Sequence, residues 1–172
     1  MGAYFSAITA EQAALIRNAP LFFVATADPQ LAHDPHSAGA LNMSPKGGIP
    51  LHILSPQRIA YLDYKGSGNE TARHLAAGGP MVVMVCSFEA EQAAIVRLYG
   101  TGRLVDLADA PGIVGAHEAH DHPLPLRQVI ELDIHTTMTS CGYGVPVMTL
   151  LAERQRSQRG RRYKTYPPPA SH

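Results

Sequence analysis

Two long stretches of the chain alternate apolar and polar residues with period two, and that pattern predicts strands with one buried face. From Ile95 to Asp106, Val96, Leu98, Gly100, Gly102 and Leu104 share one side, and Arg97, Tyr99, Thr101 and Arg103 share the other. From Arg127 to Thr136, Ile130, Leu132 and Ile134 form the inward set. Two glycines inside the first stretch indicate strong bending or close backbone approach, as at a barrel corner. Met81 to Cys86 is a continuous apolar run of strand length, which predicts burial on both faces. Leu21 to Thr26, Ala40 to Met43, Leu51 to Leu54 and Ile59 to Asp63 read as shorter strands divided by Pro and Gly turns.

Helical signals are fewer. Thr9 is placed to cap a helix carrying Glu11 and Gln12 in its first turn and Ala13 to Ile16 after it, and Pro20 ends it. Asn69 to Ala77 predicts a second helix, stopped by Gly78-Gly79-Pro80. Asp109 to His122 has mixed helix and loop character. Asp28 to Gly39 and Thr137 to Pro146 read as loops, and Leu150 to Gln158 as a helix. Arg159 to His172 is basic and then Pro-Pro-Pro. Many strands and few helices predict a mainly β fold: an antiparallel, Greek-key-like barrel with peripheral α-helices rather than a parallel sheet. Residues 1–150 would form that domain, and 151–172 a C-terminal helix and basic, Pro-rich tail.

Composition narrows the partners. At 172 residues the chain suits one domain with a real core, and its zero formal net charge gives no overall field to steer nucleic acid. No apolar run approaches the ~20 residues that span a bilayer, and no basic segment followed by an apolar run suggests a signal peptide. Cys86 and Cys141 make neither a disulfide framework nor a Cys-x-x-Cys site, so a reducing cytoplasm is the expected compartment. With no tryptophan, a flat ligand ring would stack on Tyr, Phe or backbone.

Candidate chemistry concentrates between Asn42 and Leu75. Asn42-Met43-Ser44-Pro45-Lys46-Gly47 and Gly66-Ser67-Gly68-Asn69-Glu70-Thr71 form two polar, glycine-bearing turns, the second opening a helix. Backbone N–H groups of such a turn and helix start favour an anion, and Lys46 adds a point charge. The two turns therefore suggest half of a phosphate-bearing cofactor site. The third glycine of a dinucleotide fingerprint is absent, Thr71 standing in its place, and no βαβ alternation follows, so a Rossmann site is rejected. Ser67 and Glu70 also have the spacing of a capping box, which would turn Glu70 away from the ligand. Arg97 is either a solvated strand residue or, with Tyr99, Thr101 and Arg103, part of a face covering a ligand or second subunit. His117, His120, Asp121 and His122 have metal-ligand chemistry but lie too close together, without a distant partner, for a required metal site. His33 and His36 read as surface residues. Glycines flanking Tyr143 allow a sharp turn that brings its ring near a ligand. Cys141 has no basic neighbour in sequence to activate it.

These motifs, with Arg97-Leu98-Tyr99-Gly100-Thr101-Gly102-Arg103 and Thr139-Ser140-Cys141-Gly142-Tyr143-Gly144-Val145-Pro146, resemble the pyridoxamine 5'-phosphate oxidase-related proteins over roughly Leu21 to Pro146. The similarity is to a branch outside the oxidase proper. It implies a split β-barrel that dimerises and holds FMN between subunits. By this resemblance Asn42, Met43, Ser44 and Lys46 would line the flavin and ribityl chain, and Leu62 and Asp63 would lie beside it. Ser67, Asn69 and Thr71 would hold the phosphate where the oxidases use a serine followed by arginine and lysine, a basic pair this chain lacks. Arg97 would match an arginine of the oxidase strand, with Ile95 in place of the glutamine before it. The oxidase's C-terminal tryptophan and basic substrate residues are also missing, which argues against pyridoxamine phosphate as substrate.

The resulting expectation is a cytoplasmic homodimer that binds FMN and carries out flavin redox chemistry with a small-molecule substrate or electron donor, without nucleic-acid or membrane partners. Its alternatives are a flavin-binding sensor or carrier without turnover, and a haem- or metal-binding protein using the histidine-rich loops.

Overall fold

A computed structural model describes residues 2–34, 36–66, 68–118 and 125–154. The elements run in the order β1 (Ala3–Phe5), α1 (Ala10–Asn18), β2 (Leu21–Ala27), β3 (Leu41–Gly47), β4 (His52–Ser55), β5 (Arg58–Tyr64), α2 (Glu70–Ala76), β6 (Met81–Cys86), β7 (Ala94–Val105), α3 (Pro111–Glu118) and β8 (Leu126–Cys141). The loop expected from Asp28 to Gly39 contains a single 3-10 turn, Pro29–Ala32.

All strand pairings are antiparallel, in the order β3-β2-β6-β7-β8-β5-β4, with β1 added along β8. The two ends of this path, β3 and β4, are consecutive in the chain and joined only by residues 48–51. So short a connection spans at most about 18 Å, which forces the sheet to curl until its edges approach. The hydrogen-bonded path nevertheless remains open, and the barrel is incomplete.

The inside of the curl holds the main core, including Phe22, Val24, Tyr61, Val83, Leu98, Ile130 and Leu132. Burying each such side chain contributes roughly 1.5–3 kcal/mol before entropy is set against it. A second cluster, with Ala60, Leu62 and Val129 against Ala110 and Ile113 of α3, lies on the outer face. This reverses one expectation. β5, not β6, is buried on both sides, because α3 covers its outer face. Along β6, Met81, Val83 and Val85 are buried, whereas Val82 and Met84 are only half-buried.

The long strands behave as their alternation predicts up to one irregularity. Tyr99 pairs with Thr136 and Gly100 with Ile134, so His135 is an unpaired extra residue in β8. A Cβ on Gly100 would collide with the Asp133 carbonyl there, which explains the glycine. Beyond the bulge the inward set of β8 changes from even to odd positions. Thr137 is fully buried, and its hydroxyl donates to Gln12 Oε1 at 2.9 Å. The segment expected to be a loop from Thr137 is therefore strand as far as Cys141, paired with β7 on one side and β1 on the other. Leu104, expected inward, is 38% exposed because the core ends before it. Thr9 caps α1 as expected, and Gln12 completes a reciprocal capping box. The helix expected from Leu150 is absent from its described part, since residues 150–154 are irregular. The rest of that helix and the Arg159 to His172 tail lie outside the described residues.

Candidate functional site

The pleat of β3 aims Asn42, Ser44 and Lys46 to one side and Leu41 and Met43 to the other. The first side faces the start of α2. Asn42 donates through Nδ2 to Thr71 Oγ1 at 2.9 Å and to Ser44 Oγ at 3.1 Å, tying strand to helix. α2 is itself fixed by His74, fully buried, whose Nδ1 shares a hydrogen bond with Thr26 Oγ1 (2.9 Å) and whose Nε2 donates to the Gly39 carbonyl (2.8 Å). With both ring nitrogens engaged, His74 holds the helix against β2 and the 28–40 loop.

Between β3, the end of β5 and the start of α2 lies a cavity of about 350 Å³, lined by Ser44, Lys46, Asp63, Asn69, Thr71 and Arg127 among others. Its floor is a charge network. Asp63, only 7% exposed, has Lys46 Nζ at 3.8 Å, Arg127 Nη1 at 3.5 Å and the Gln128 amide donating at 3.2 Å. A buried carboxylate needs such partners, and here two cations share it. Lys46 Nζ also lies 5.7 Å from the centroid of the buried Tyr61 ring.

Arg127 is the residue that sequence reasoning missed. It had been read only as the start of a strand, yet it stitches the glycine-rich turn together. Nη1 donates to Asn69 Oδ1 at 2.7 Å and to the Gly68 carbonyl at 3.1 Å, and Nη2 donates to the Gly66 carbonyl at 3.2 Å. A guanidinium suits this because its fixed fork reaches several acceptors at once. The signal that pointed to it was weak: a basic residue opening a strand that pairs with the one carrying Asp63.

The capping box expected at Ser67 and Glu70 does not start this helix. α2 begins at Glu70 with Asn69 as its N-cap and no side-chain cap bond, and Ser67 lies outside the described residues. Glu70 lines the cavity rather than turning away, its Oε2 lying 2.8 Å from where a Cβ on Gly68 would be.

Of the site residues expected from sequence, Ser44, Lys46, Leu62, Asp63, Asn69 and Thr71 border this one cavity, and Asn42 adjoins it through Thr71. Leu62 contributes mostly as backbone, for its side chain is packed beneath α3. Met43 is 71% exposed on the far side of β3. Arg97 lies on another part of the sheet, donating to Ser140 Oγ at 3.0 Å, and Tyr143 is 92% exposed in the turn after β8. His120, Asp121 and His122 lie outside the described residues. His117 is described, and its Nδ1 is 2.6 Å from the Tyr64 hydroxyl, at the edge of the cavity. Burial pushes the Tyr64 phenol up to about 12, so it stays protonated in neutral solution. Burial also raises the Cys86 thiol, partly offset by Arg97, which leaves it unreactive. Among the described residues no group of three or more His, Cys, Asp or Glu is placed to hold a metal ion.

The family model described as pyridoxamine 5'-phosphate oxidase matches residues 8–141, the whole sheet from α1 to the end of β8. The chain belongs to the pyridoxamine 5'-phosphate oxidase family. A curated member, the pyridoxamine 5'-phosphate oxidase family protein ustO of Aspergillus flavus, is 36% identical over 153 residues. That match covers 81% of this chain and 54% of the relative, so the chain spans about half the relative's length. Two solved structures share the fold at lower identity. HupZ of Group A Streptococcus has a TM-score of 0.56 at 20% identity, covering 74% of this chain and 89% of its own. The FAD and haem binding protein of Mycobacterium smegmatis has a TM-score of 0.50 at 17% identity, covering 85% and 76%. The incomplete antiparallel barrel is thus the split barrel of this oxidase-like family. Among the described residues no helix is long and apolar enough to cross a membrane.

Proposed function

We propose that the chain binds FMN, with its phosphate and ribityl chain in the cavity between β3 and the start of α2, and acts as a flavin-dependent oxidoreductase on a small molecule. The observation that carries this reading is the cavity. It gathers two motifs separated by more than twenty residues and adds two cations and the hydroxyls of Ser44 and Thr71. That donor set fits a phosphate ester better than it fits haem, whose body is apolar. Lys46 and Arg127 would face the phosphate, each already oriented by Asp63. Thr71 accepts from Asn42, which leaves its own proton to donate. Asn69 accepts from Arg127 through Oδ1, which turns its amide toward the cavity. When bound, FMN supplies the hydride chemistry, and the protein's part is to hold and orient it and to shape access to the ring. No general acid is assigned.

The same reading takes the protein to be a cytoplasmic homodimer, with the flavin ring toward the second subunit. Beside β3, opposite the polar cavity, an apolar groove of about 450 Å³ is lined by Leu41, Met43, Val82 and Tyr99 among others, a surface of the kind that subunits cover.

Titration of FMN and riboflavin into the wild type, Asn69→Ala and Thr71→Ala tests the phosphate site. A hydrogen bond to a charged group is worth roughly 1.5–3 kcal/mol, so each variant should bind FMN about ten- to a hundred-fold more weakly. Riboflavin, lacking the phosphate, should bind the wild type weakly and lose little further. Equal losses for both flavins would show that these side chains only support the helix start. Reduction of the bound flavin by a nicotinamide cofactor, followed by turnover of an acceptor, would separate an enzyme from a carrier.

A further inference from the structure

We propose that the basic segment Arg154–Lys164 reaches back over this cavity and supplies guanidinium groups to the phosphate held there, an inference that rests on the flavin reading above. Charge is segregated along the chain. Six of its fourteen basic residues lie between Arg154 and Lys164, and all fourteen acidic residues precede them. Residues 1–153 therefore carry eight cations against fourteen carboxylates, a formal charge of −6, and the segment beyond carries +6.

The cavity lacks the charge that this segment offers. Lys46 and Arg127 are both committed to Asp63, Arg127 also to the turn, and Glu70 adds a second carboxylate to the wall. The fixed charges of the walls cancel, so a phosphate dianion entering them meets no net attraction and an acidic body behind. Arginine is the side chain best matched to a phosphate, through paired N–H donors.

The segment begins in the right place. After β8 the chain is held by the Met148 N–H donating to the Phe88 carbonyl at 3.0 Å, and it then runs to the β3–β4 turn. There the Glu153 carboxylate lies against Gly48, with Oε2 3.3 Å from where a Cβ would be. Gly47 and Ile49, on either side, both line the cavity. Arg154 thus starts at the rim. At ~3.3–3.6 Å per residue, eleven extended residues reach about 36 Å, several times what is needed to cross a cavity of this size. A nucleic-acid backbone would also suit six cations, but a duplex laid along the segment would meet the acidic body, whereas a single phosphate inside the cavity would not.

The test compares the full chain with a full-length variant carrying Arg154→Gln, Arg156→Gln, Arg159→Gln, Arg161→Gln, Arg162→Gln and Lys164→Gln. FMN, riboflavin and a labelled DNA duplex are titrated into both at about 0.01 M and about 1 M salt, where the Debye length falls from ~30 to ~3 Å. Matched melting temperatures keep folding out of the comparison. At low salt the variant should bind FMN on the order of tenfold more weakly, the effect of one or two exposed charge contacts. The gap should close at high salt, and riboflavin should be unaffected. Equal FMN affinity in the two chains would overturn the proposal while leaving the flavin reading intact. Duplex binding that is lost in the variant, with FMN unchanged, would overturn it in favour of nucleic acid. Failure of the wild type to bind FMN would overturn the flavin reading, and this proposal with it.

Discussion

One strand, β3, builds two surfaces of opposite character. Asn42, Ser44 and Lys46 face a polar cavity whose charges are paired off within the protein, while Leu41 and Met43, 69% and 71% exposed, flank an open apolar groove. The backbone is shared, and only side-chain parity differs. What keeps the two surfaces apart is register: seven consecutive residues of β3 are paired with β2, from Leu21 with Gly47 to Ala27 with Leu41. A slip of one residue would turn the polar set into the groove and the apolar set into the cavity. The polar face is also braced from behind by Asp63 and Arg127, whereas the apolar face has nothing over it among the described residues. A site for a small charged ligand has to be pre-organised, and a surface that a second subunit covers does not.

The contrast can be broken most severely on the apolar side. Leu41→Asp with Met43→Asp places carboxylates in the groove of both copies of a dimer. Two anchors at ~2 kcal/mol each make the expected weakening of self-association about a thousandfold, measured by sedimentation. FMN and riboflavin should then lose affinity together, because the ring and not the phosphate lies toward that surface. A wild-type protein that is monomeric in the holo form would end this half of the comparison.

On the polar side, Arg127→Met keeps the side-chain stem and removes the guanidinium that joins Asp63, Asn69 and the carbonyls of Gly66 and Gly68. Two charge-assisted contacts at ~1.5 kcal/mol each predict about a hundredfold loss of FMN affinity. Self-association should not change, nor should riboflavin binding change much. If riboflavin fell in step with FMN, Arg127 would be shaping the whole fold rather than the phosphate end.

The smallest effect is at the cavity's edge. Tyr64→Phe removes the hydrogen bond to His117 and should cost about 1 kcal/mol of unfolding free energy. The phenol titrates near 10 when unfolded and is pushed up to about 12 by burial in the folded protein. The native state therefore holds this proton more tightly, and the associated stability is present below about pH 10 and lost as pH rises toward 12. Urea unfolding of wild type and variant should differ by a constant amount from neutral pH to about pH 10 and converge at about pH 11 to 12. A difference that widened with alkalinity would reverse the assignment.

Much of this was legible in the order of residues. The alternation of β7 and β8, the cap at Thr9 and the helix after the glycine-rich turn depend on neighbours within a few positions, which a sequence displays directly. The Asn42 to Lys46 and Gly66 to Thr71 motifs marked the cavity because both are short, polar and glycine-bearing. Where the reading failed, the deciding contact came from far away. The stretch from Thr137 to Cys141 contains Thr, Ser and Met in loop-like company, yet it is a strand because β1 and β7 pair with it from both sides. Met81 to Cys86 is as apolar as a doubly buried strand, but no helix covers its outer face; α3 went to β5 instead. Glu70 had the spacing of a cap, and the helix began too late to use it.

The sequence by itself determined the elements, the mainly β class and the two turns that meet at the cavity, because periodicity and turn chemistry are local properties. Only the tertiary structure decided that Arg127, about sixty residues after the turn it holds, stands beside Asp63 and Asn69. It also decided that Lys46 is shared with a carboxylate and that Met43 and Tyr143 face elsewhere. The physical reason is that strand pairing sets which distant side chains share a face. That pairing is chosen by the whole sheet at once, and no window along the chain contains it.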